Sequence, residues 1–170
     1  EYTALNTIGT GTTINGPLYG AFYPIKFSTS ATVASLVLRG LAAYSGTALS
    51  FRVGIYNDNN GVTGTLLIDA GTITWSGISA GAAVTQACSQ VLAANTQYWV
   101  VVGCAYASGA PSMQATVGHN LPMANIGLMG ELGAAGYYFN HNGANALPST
   151  APTVTAAGYL FPRVYVRLAS

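Results

Sequence analysis

LSFRVGIY, Leu49 to Tyr56, alternates with a period of two. Leu49, Phe51, Val53 and Ile55 fall on one side of an extended chain, with Ser50, Arg52, Gly54 and Tyr56 on the other. A helix would scatter those four apolar side chains around its axis, so the stretch reads as a strand with one packed and one wetter face. RVYVRLAS, Arg163 to Ser170, repeats the pattern: Val164, Val166 and Leu168 share one face, with Arg163, Tyr165 and Arg167 opposite. YWVVVGC, Tyr98 to Cys104, is apolar on both faces. It reads as a central strand covered on both sides, with Tyr98 and Trp99 straddling its two faces.

Working outward, further strands are expected at Tyr19 to Phe27, Val33 to Leu38, Leu66 to Trp75, Ala83 to Leu92, Met113 to Val117 and Gly136 to Phe139. Turn signals separate them: NG at Asn15, SG at Ser45, DNNG at Asp58, SG at Ser76, SG at Ser108 and NG at Asn142. No long segment carries helical periodicity; Ala42 to Tyr44 and Asn120 to Glu131 leave room for a short helical turn. Short strands broken at regular intervals by turns predict an all-β fold, an antiparallel, jelly-roll-like β-sandwich. The 21 glycines and 7 prolines are spread along all 170 residues, so no linker divides the chain and a single domain over 1–170 is expected.

Hydrophobic residues make up 51% of the chain and charged residues 5%, against about 25% charged in an ordinary soluble domain. Such a composition favours order over disorder. With 5 Lys+Arg, 4 Asp+Glu and a net charge of +1, no basic patch exists to neutralise a run of phosphates, so nucleic acid is not expected as a partner. No apolar run reaches the length of a membrane-spanning helix, so no membrane insertion is expected. A protein this neutral stays dispersed either by clothing itself in Ser, Thr, Asn and Gln or by burying neutral surface against copies of itself; self-association, as a homotrimer, is the expectation. The chain opens at Glu1 without an initiating methionine, as expected of a processed protein or of the C-terminal head of a longer one. Cys88 and Cys104 are the only cysteines. If residues 84–105 form a hairpin turning at Ala94-Asn95, the two thiols point to opposite faces, so both are expected to be buried and free.

FRVGIYNDNNGVTGTLL, then GTITWSG, then VLAANTQYWVVV, together spanning Leu49 to Val102, resemble the β-sandwich modules of phage tail fibres, receptor-binding proteins and bacterial surface proteins. Those modules run strand, Asp/Asn/Gly loop, Gly-Thr-Leu-Leu strand, Gly/Ser turn and Thr-x-Tyr-Trp strand. The match covers about a third of the chain. The chain departs from the pattern at Thr63, where the family often has proline before the second glycine of the loop. The resemblance implies a β-sandwich in a virion or extracellular setting.

The loop NDNNG, Asn57 to Gly61, offers hard oxygens as a calcium loop would, but Thr65 to Ile68 carry no later carboxylate to complete an EF-hand. The other reading is a plain hairpin loop, in which Asp58 and the asparagines bond their own amides and Gly61 and Gly64 supply positive φ. Glycan cleavage needs two facing carboxylates. The candidates are Glu1, Asp58, Asp69 and Glu131. Asp69 sits inside a strand, where Arg52 on a neighbour is its natural partner; a Glu131–Asp58 pair is the combination left open. His119 and His141 are the only imidazoles, and neither belongs to a GxSxG nucleophile elbow. A zinc site would need both histidines together with cysteines that strand direction separates. No cofactor motif appears, and the chain is read as a binding or structural protein rather than an enzyme.

GYYFNHNGAN, Gly136 to Asn145, is the candidate ligand surface. Sugar recognition needs flat rings to stack on a pyranose and planar amides to bond paired hydroxyls; Tyr137, Tyr138, Asn140, His141, Asn142 and Asn145 supply both. Alternation puts Tyr138 outward with Asn140 and Asn142, and Phe139 inward as the root. GHNLPMANIG, Gly118 to Gly127, would add a second wall through His119 and Asn120. The competing reading is a strand end whose rings are packing, with an NG turn behind it. Three functions follow: the receptor-binding head of a phage tail fibre or spike recognising host surface glycan, a carbohydrate-binding or adhesion module of a secreted bacterial protein, and a structural virion protein without a ligand.

Overall fold

The computed structural model describes residues 2–3, 12–13, 19–105, 112–113, 115–116, 136–153, 155–157, 161–162 and 164–170. Its strands are β1 (Tyr2–Thr3), β2 (Thr12–Thr13), β3 (Tyr19–Lys26), β4 (Ala31–Arg39), β5 (Leu49–Asn59), β6 (Val62–Trp75), β7 (Ala83–Leu92), β8 (Gln97–Ala105), β9 (Ser112–Met113), β10 (Ala115–Thr116), β11 (Gly136–Asn140), β12 (Thr155–Ala157), β13 (Phe161–Pro162) and β14 (Val164–Leu168). There is no helix among the described residues, and every strand pairing is antiparallel. One sheet runs β1-β14-β4-β7 and the other β12-β11-β3-β8-β5-β6; β10 with β13 and β2 with β9 form two short ribbons. The expected all-β sandwich is what the structure shows.

The core between the sheets is built from the alternation. Leu49, Phe51, Val53 and Ile55 of β5 all face inward, as do Tyr98, Val100, Val102 and Cys104 of β8. They meet Val33, Leu36 and Leu38 of β4, Leu92 of β7, and Val164 and Val166 of β14. Alternate residues along a strand share a face, and on β4 a bulge between Val33 and Ser35 brings Val33 to the same side as Leu36 and Leu38. β8 lies in mid-sheet between β3 and β5, and its residues Tyr98 to Cys104 are all buried. Tyr98 enters the inter-sheet core while Trp99 joins a second apolar cluster on the other face, as their adjacency requires.

That second cluster overturns one expectation. The face of β5 carrying Arg52, Gly54 and Tyr56 is not wet: Tyr56 is 0% exposed. Phe22, Tyr56, Trp99, Val101, Phe139 and Leu147 pack together on the outer face of the six-stranded sheet. Phe22 stacks on Phe139 with ring centroids 4.7 Å apart and meets Tyr56 edge-on at 5.4 Å. This sheet therefore has apolar layers on both sides. On β14, Tyr165 is likewise buried, with the Arg39 guanidinium 5.4 Å from its ring centroid, while Arg167 is exposed. Arg163 lies outside the described residues.

The β5–β6 reversal is the hairpin that the loop residues call for. Asn60 and Gly61 take φ of 55° and 86°, the left-handed region that asparagine and glycine tolerate best, whereas Gly64, expected to share it, does not. The β7–β8 reversal is different. Asn95 has φ 56°, so the chain does turn where expected, but β7 joins β4 in one sheet and β8 joins β3 and β5 in the other. The expected hairpin over 84–105 does not form, because β8 is apolar on both faces and needs a doubly covered position, whereas the alternating β7 suits an edge. Both cysteines are free, but Cys104 alone is fully buried; Cys88 is half-buried on the edge strand and packs against the same inter-sheet core, so the two do not lie on opposite faces as expected. Burial pushes the Cys104 thiol far up from its ordinary pKa and the Cys88 thiol up as well. The expected short helical turn at Ala42 to Tyr44 is instead a bridge from Tyr44 to Ile78; that at Asn120 to Glu131 lies outside the described residues.

Candidate functional site

β11 pairs with β3 on one side and β12 on the other, in the registers Phe139 to Gly20 and Tyr138 to both Ala21 and Thr155. Phe139 is buried, but in the outer cluster rather than between the sheets, and position 138 is in register with Ala21 of the inter-sheet core, so the expected inward and outward faces of β11 are reversed. After Asn140 the chain leaves the sheet plane and crosses its outer face as a strap, residues 141–153. The strap is anchored along its length. The Gly143 N–H donates to the Cys104 carbonyl at 3.2 Å, and the Leu147 N–H donates to Asp69 Oδ2 at 3.0 Å. The Tyr56 hydroxyl donates to the Pro148 carbonyl at 2.6 Å. Beyond that, the Leu66 N–H donates to the Ser149 carbonyl at 2.8 Å and the Ala151 N–H to the Gly64 carbonyl at 2.9 Å. Thr150 forms an antiparallel bridge with Thr65, so the end of the strap lies along the edge of β6.

Glycines on the sheet let the strap approach. A Cβ on Gly103 would overlap the His141 ring, and one on Gly54 would meet a Leu147 methyl and lie 2.5 Å from the Ile68 carbonyl oxygen. Leu147 fills the space over Gly54 and completes the outer cluster.

Two carboxylates organise the polar part of this face. Arg52 grips Asp69 through two bonds, Nε to Oδ1 at 2.6 Å and Nη2 to Oδ2 at 2.7 Å, and Nη1 donates to Thr72 Oγ1 at 3.1 Å. The Gly71 N–H adds a bond to Asp69 Oδ1 at 3.2 Å. The Asp69–Arg52 pairing read from the sequence is thus present in bidentate form. Burial alone would raise the Asp69 pKa; the Arg52 guanidinium and the Leu147 and Gly71 N–H groups outweigh it and hold the carboxyl below its ordinary value. Burial and the nearby Asp69 charge push the Tyr56 phenol far up, so it stays protonated as a donor to the strap.

Asp58 is equally committed. Its Oδ2 accepts from the Gly61 N–H at 2.9 Å, and its Oδ1 accepts from Gln97 Nε2 at 2.9 Å and Trp99 Nε1 at 2.7 Å. Asn57 Oδ1 accepts from the Thr65 N–H at 2.5 Å. The Asp58 and Asn57 oxygens that a calcium ion would need are closing the hairpin and tying it to β8. No group of three or more His, Cys, Asp or Glu that could hold a metal occurs among the described residues.

Of the expected ligand residues, His141 is half-buried at the root of the strap, its ring tilted 33° from Phe139 at 5.5 Å. Its Nε2 is buried without a hydrogen-bond partner. Burial lowers its pKa below the usual histidine value; Asp69 pulls the other way and Arg52 adds to the lowering. Asn142 and Asn145 are exposed in the turn that follows. Asn142 Oδ1 accepts from the Ala144 N–H at 3.0 Å and its carbonyl from the Asn145 N–H at 2.8 Å, so this is a side-chain-stabilised Asx turn. Tyr137, Tyr138 and Asn140 are placed by backbone register on β11, and their side chains lie outside the described part of the structure. His119, Asn120 and Glu131 lie outside the described residues. Sequence reasoning missed the strap and its anchors Leu147 and Tyr56; the isolated Leu147 in HNGANALPSTAPT was the available signal. No protein-family model, curated protein or solved structure matches the chain.

Proposed function

We propose that the chain is a virion attachment protein, the receptor-binding head of a phage tail fibre or spike that recognises host surface glycan, working in the virion tail as a homotrimer. The observation that carries the reading is an exposed Asn142–Asn145 turn held at the end of a rigid sheet by bonds at both ends of the strap. A turn so fixed loses little freedom on meeting a ligand, and its asparagines present amide donors and acceptors of the kind that sugar hydroxyls match. The aromatic sequence Tyr137-Tyr138 immediately precedes it, and the resemblance over Leu49 to Val102 points to the same setting. Weak contacts by single copies would be reinforced by three.

The test is attachment to host cells with Asn142→Ala and Asn145→Ala, the exposed residues of that turn. Loss of attachment with unchanged thermal unfolding supports the reading; full attachment by both variants rejects it. Light scattering of the purified chain is expected to give three copies per particle, and a stable monomer at micromolar concentration would reject the homotrimer. A structural virion protein is the second reading. Its support is that Asp58, Asp69, Tyr56 and Leu147 all serve packing of the chain on itself.

A further inference from the structure

We propose that the strap 141–153 is an acid-responsive cover over the outer apolar cluster, with His141 as the group whose protonation loosens it. The inference concerns the ligand-free chain and does not rest on the glycan reading.

The geometry makes the root of the strap a poor place for a charged imidazole: burial opposes the proton more than Asp69, whose pull exceeds the push of Arg52, can offset. The imidazole lies flat on the backbone at Gly103, where a side chain would collide with it. Gly103 is the register partner of Arg52 on β5, so the ring sits beside the guanidinium. Among the described residues, the charged groups bearing on it are Arg52 from β5 and Asp69 from β6. β8 contributes Gly103, with Cys104 turned into the inter-sheet core, and β11 contributes the Phe139 ring. The neutral ring already leaves Nε2 buried and unbonded.

Adding a proton creates a buried N–H donor and a cation beside Arg52. The one carboxylate in reach, Asp69, already accepts from Arg52, Gly71 and Leu147. An imidazolium at this place must therefore leave Gly103 for water or draw Asp69 away from the Leu147 N–H. Either response slackens the strap at its root or at its middle. Beneath it lie Phe22, Tyr56, Trp99 and Val101, so slackening uncovers an aromatic face.

His141 binds its proton less readily under the strap than when released. The closed strap is therefore at full strength above the ordinary histidine value of about 6.5 and weakens as pH falls from there through the closed-state value. One proton taken up on opening shifts the opening equilibrium by up to about tenfold per pH unit.

Amide hydrogen exchange on the full chain reads this directly at Gly143 and Leu147, whose N–H groups tie the root and the middle of the strap to Cys104 and Asp69. After correction for the intrinsic rate, protection at both is expected to fall about tenfold between pH ~7 and pH ~5. Protection at Val101 in mid-sheet should hold steady. His141→Gln, which cannot titrate, should abolish the pH response, whereas His119→Gln should retain it. If His141→Gln perturbs folding, NMR titration of the wild-type imidazole decides: it must titrate in step with the loss of protection. Constant protection at Gly143 and Leu147 across this range, or a response that survives His141→Gln, would overturn the proposal.

Discussion

Removing the Asp58 carboxylate should destabilise the domain by about 3 kcal/mol, and the figure can be built from its three bonds. The Trp99 indole N–H, on a residue 1% exposed, loses the acceptor 2.7 Å away. A buried donor left unsatisfied costs ~1–3 kcal/mol. The Gly61 N–H in the tight turn loses a bond worth ~0.5–1.5 kcal/mol, while half-exposed Gln97 can turn to water at little cost. The sum for Asp58→Ala is ~1.5–4.5 kcal/mol, and a loss of about 3 kcal/mol lowers Tm by roughly 6–12 °C in a chain of this size. A double-mutant cycle isolates the indole bond. Trp99→Phe removes the donor and some packing, so the pair Asp58→Ala with Trp99→Phe should cost ~1–2 kcal/mol less than the sum of the single changes. Urea unfolding followed by circular dichroism measures all four proteins. A loss below ~1 kcal/mol for Asp58→Ala, or strict additivity in the cycle, would refute the assignment of Asp58 as the tie between the hairpin loop and β8.

Because both Asp58 oxygens and Asn57 Oδ1 already accept hydrogen bonds, millimolar calcium is expected to leave Tm unchanged; a clear rise would show that the loop exchanges these bonds for a cation. Asp69 has a folded pKa below its ordinary value, so its contribution is complete above pH ~3.9 and disappears as pH falls through the folded value. Urea midpoints measured down this acid limb should decline less steeply for Asp69→Asn than for the wild type. Gly54→Ala forces a methyl against Leu147 and the Ile68 carbonyl oxygen. Overpacking of this kind costs ~1–3 kcal/mol, and urea unfolding should show it together with faster hydrogen exchange at Leu66.

The fold was legible where one face of a strand is apolar, because alternation says which side chains share a face. β5 delivers Leu49, Phe51, Val53 and Ile55 to one core, and the doubly apolar β8 lies in mid-sheet. Alternation does not say which strand lies beside which. The turn at Asn95 is visible in the sequence, but nothing local distinguishes a hairpin from a crossing between sheets, and the β7–β8 pairing failed on that point. The strap was illegible for a related reason. Residues 141–153 have no period; they bind through backbone groups to Asp69, Tyr56 and β6, and backbone bonding leaves no trace in composition. The outer face of β5 looked wet because Arg52 and Tyr56 carry polar tips, but each tip is bonded within the chain. Phe139 was expected to be buried and is, yet the layer that buries it is one the sequence did not announce.

That hidden layer also changes what the composition means. A hydrophobic share of 51% in a two-layer sandwich asks for burial against something further, and self-association is one answer. Here the strap is another: it covers an apolar face of the same chain, so part of the hydrophobic excess is absorbed without a partner. The charge deficit is not absorbed in this way; it deepens. Arg52 and Asp69 neutralise each other, Asp58 is enclosed by its donors, and Arg39 lies over Tyr165, which leaves Lys26 and Arg167 as the exposed charges among the described residues. Edge strand β7 illustrates the consequence. Its ten residues, AVTQACSQVL, contain no charge and no proline, the usual guards against pairing with another chain, and Val91 on it is 62% exposed. Contact between copies, as proposed, would then owe more to the scarcity of repulsion at the surface than to the abundance of apolar residues. Such an association should be insensitive to salt, because there are few charges to screen.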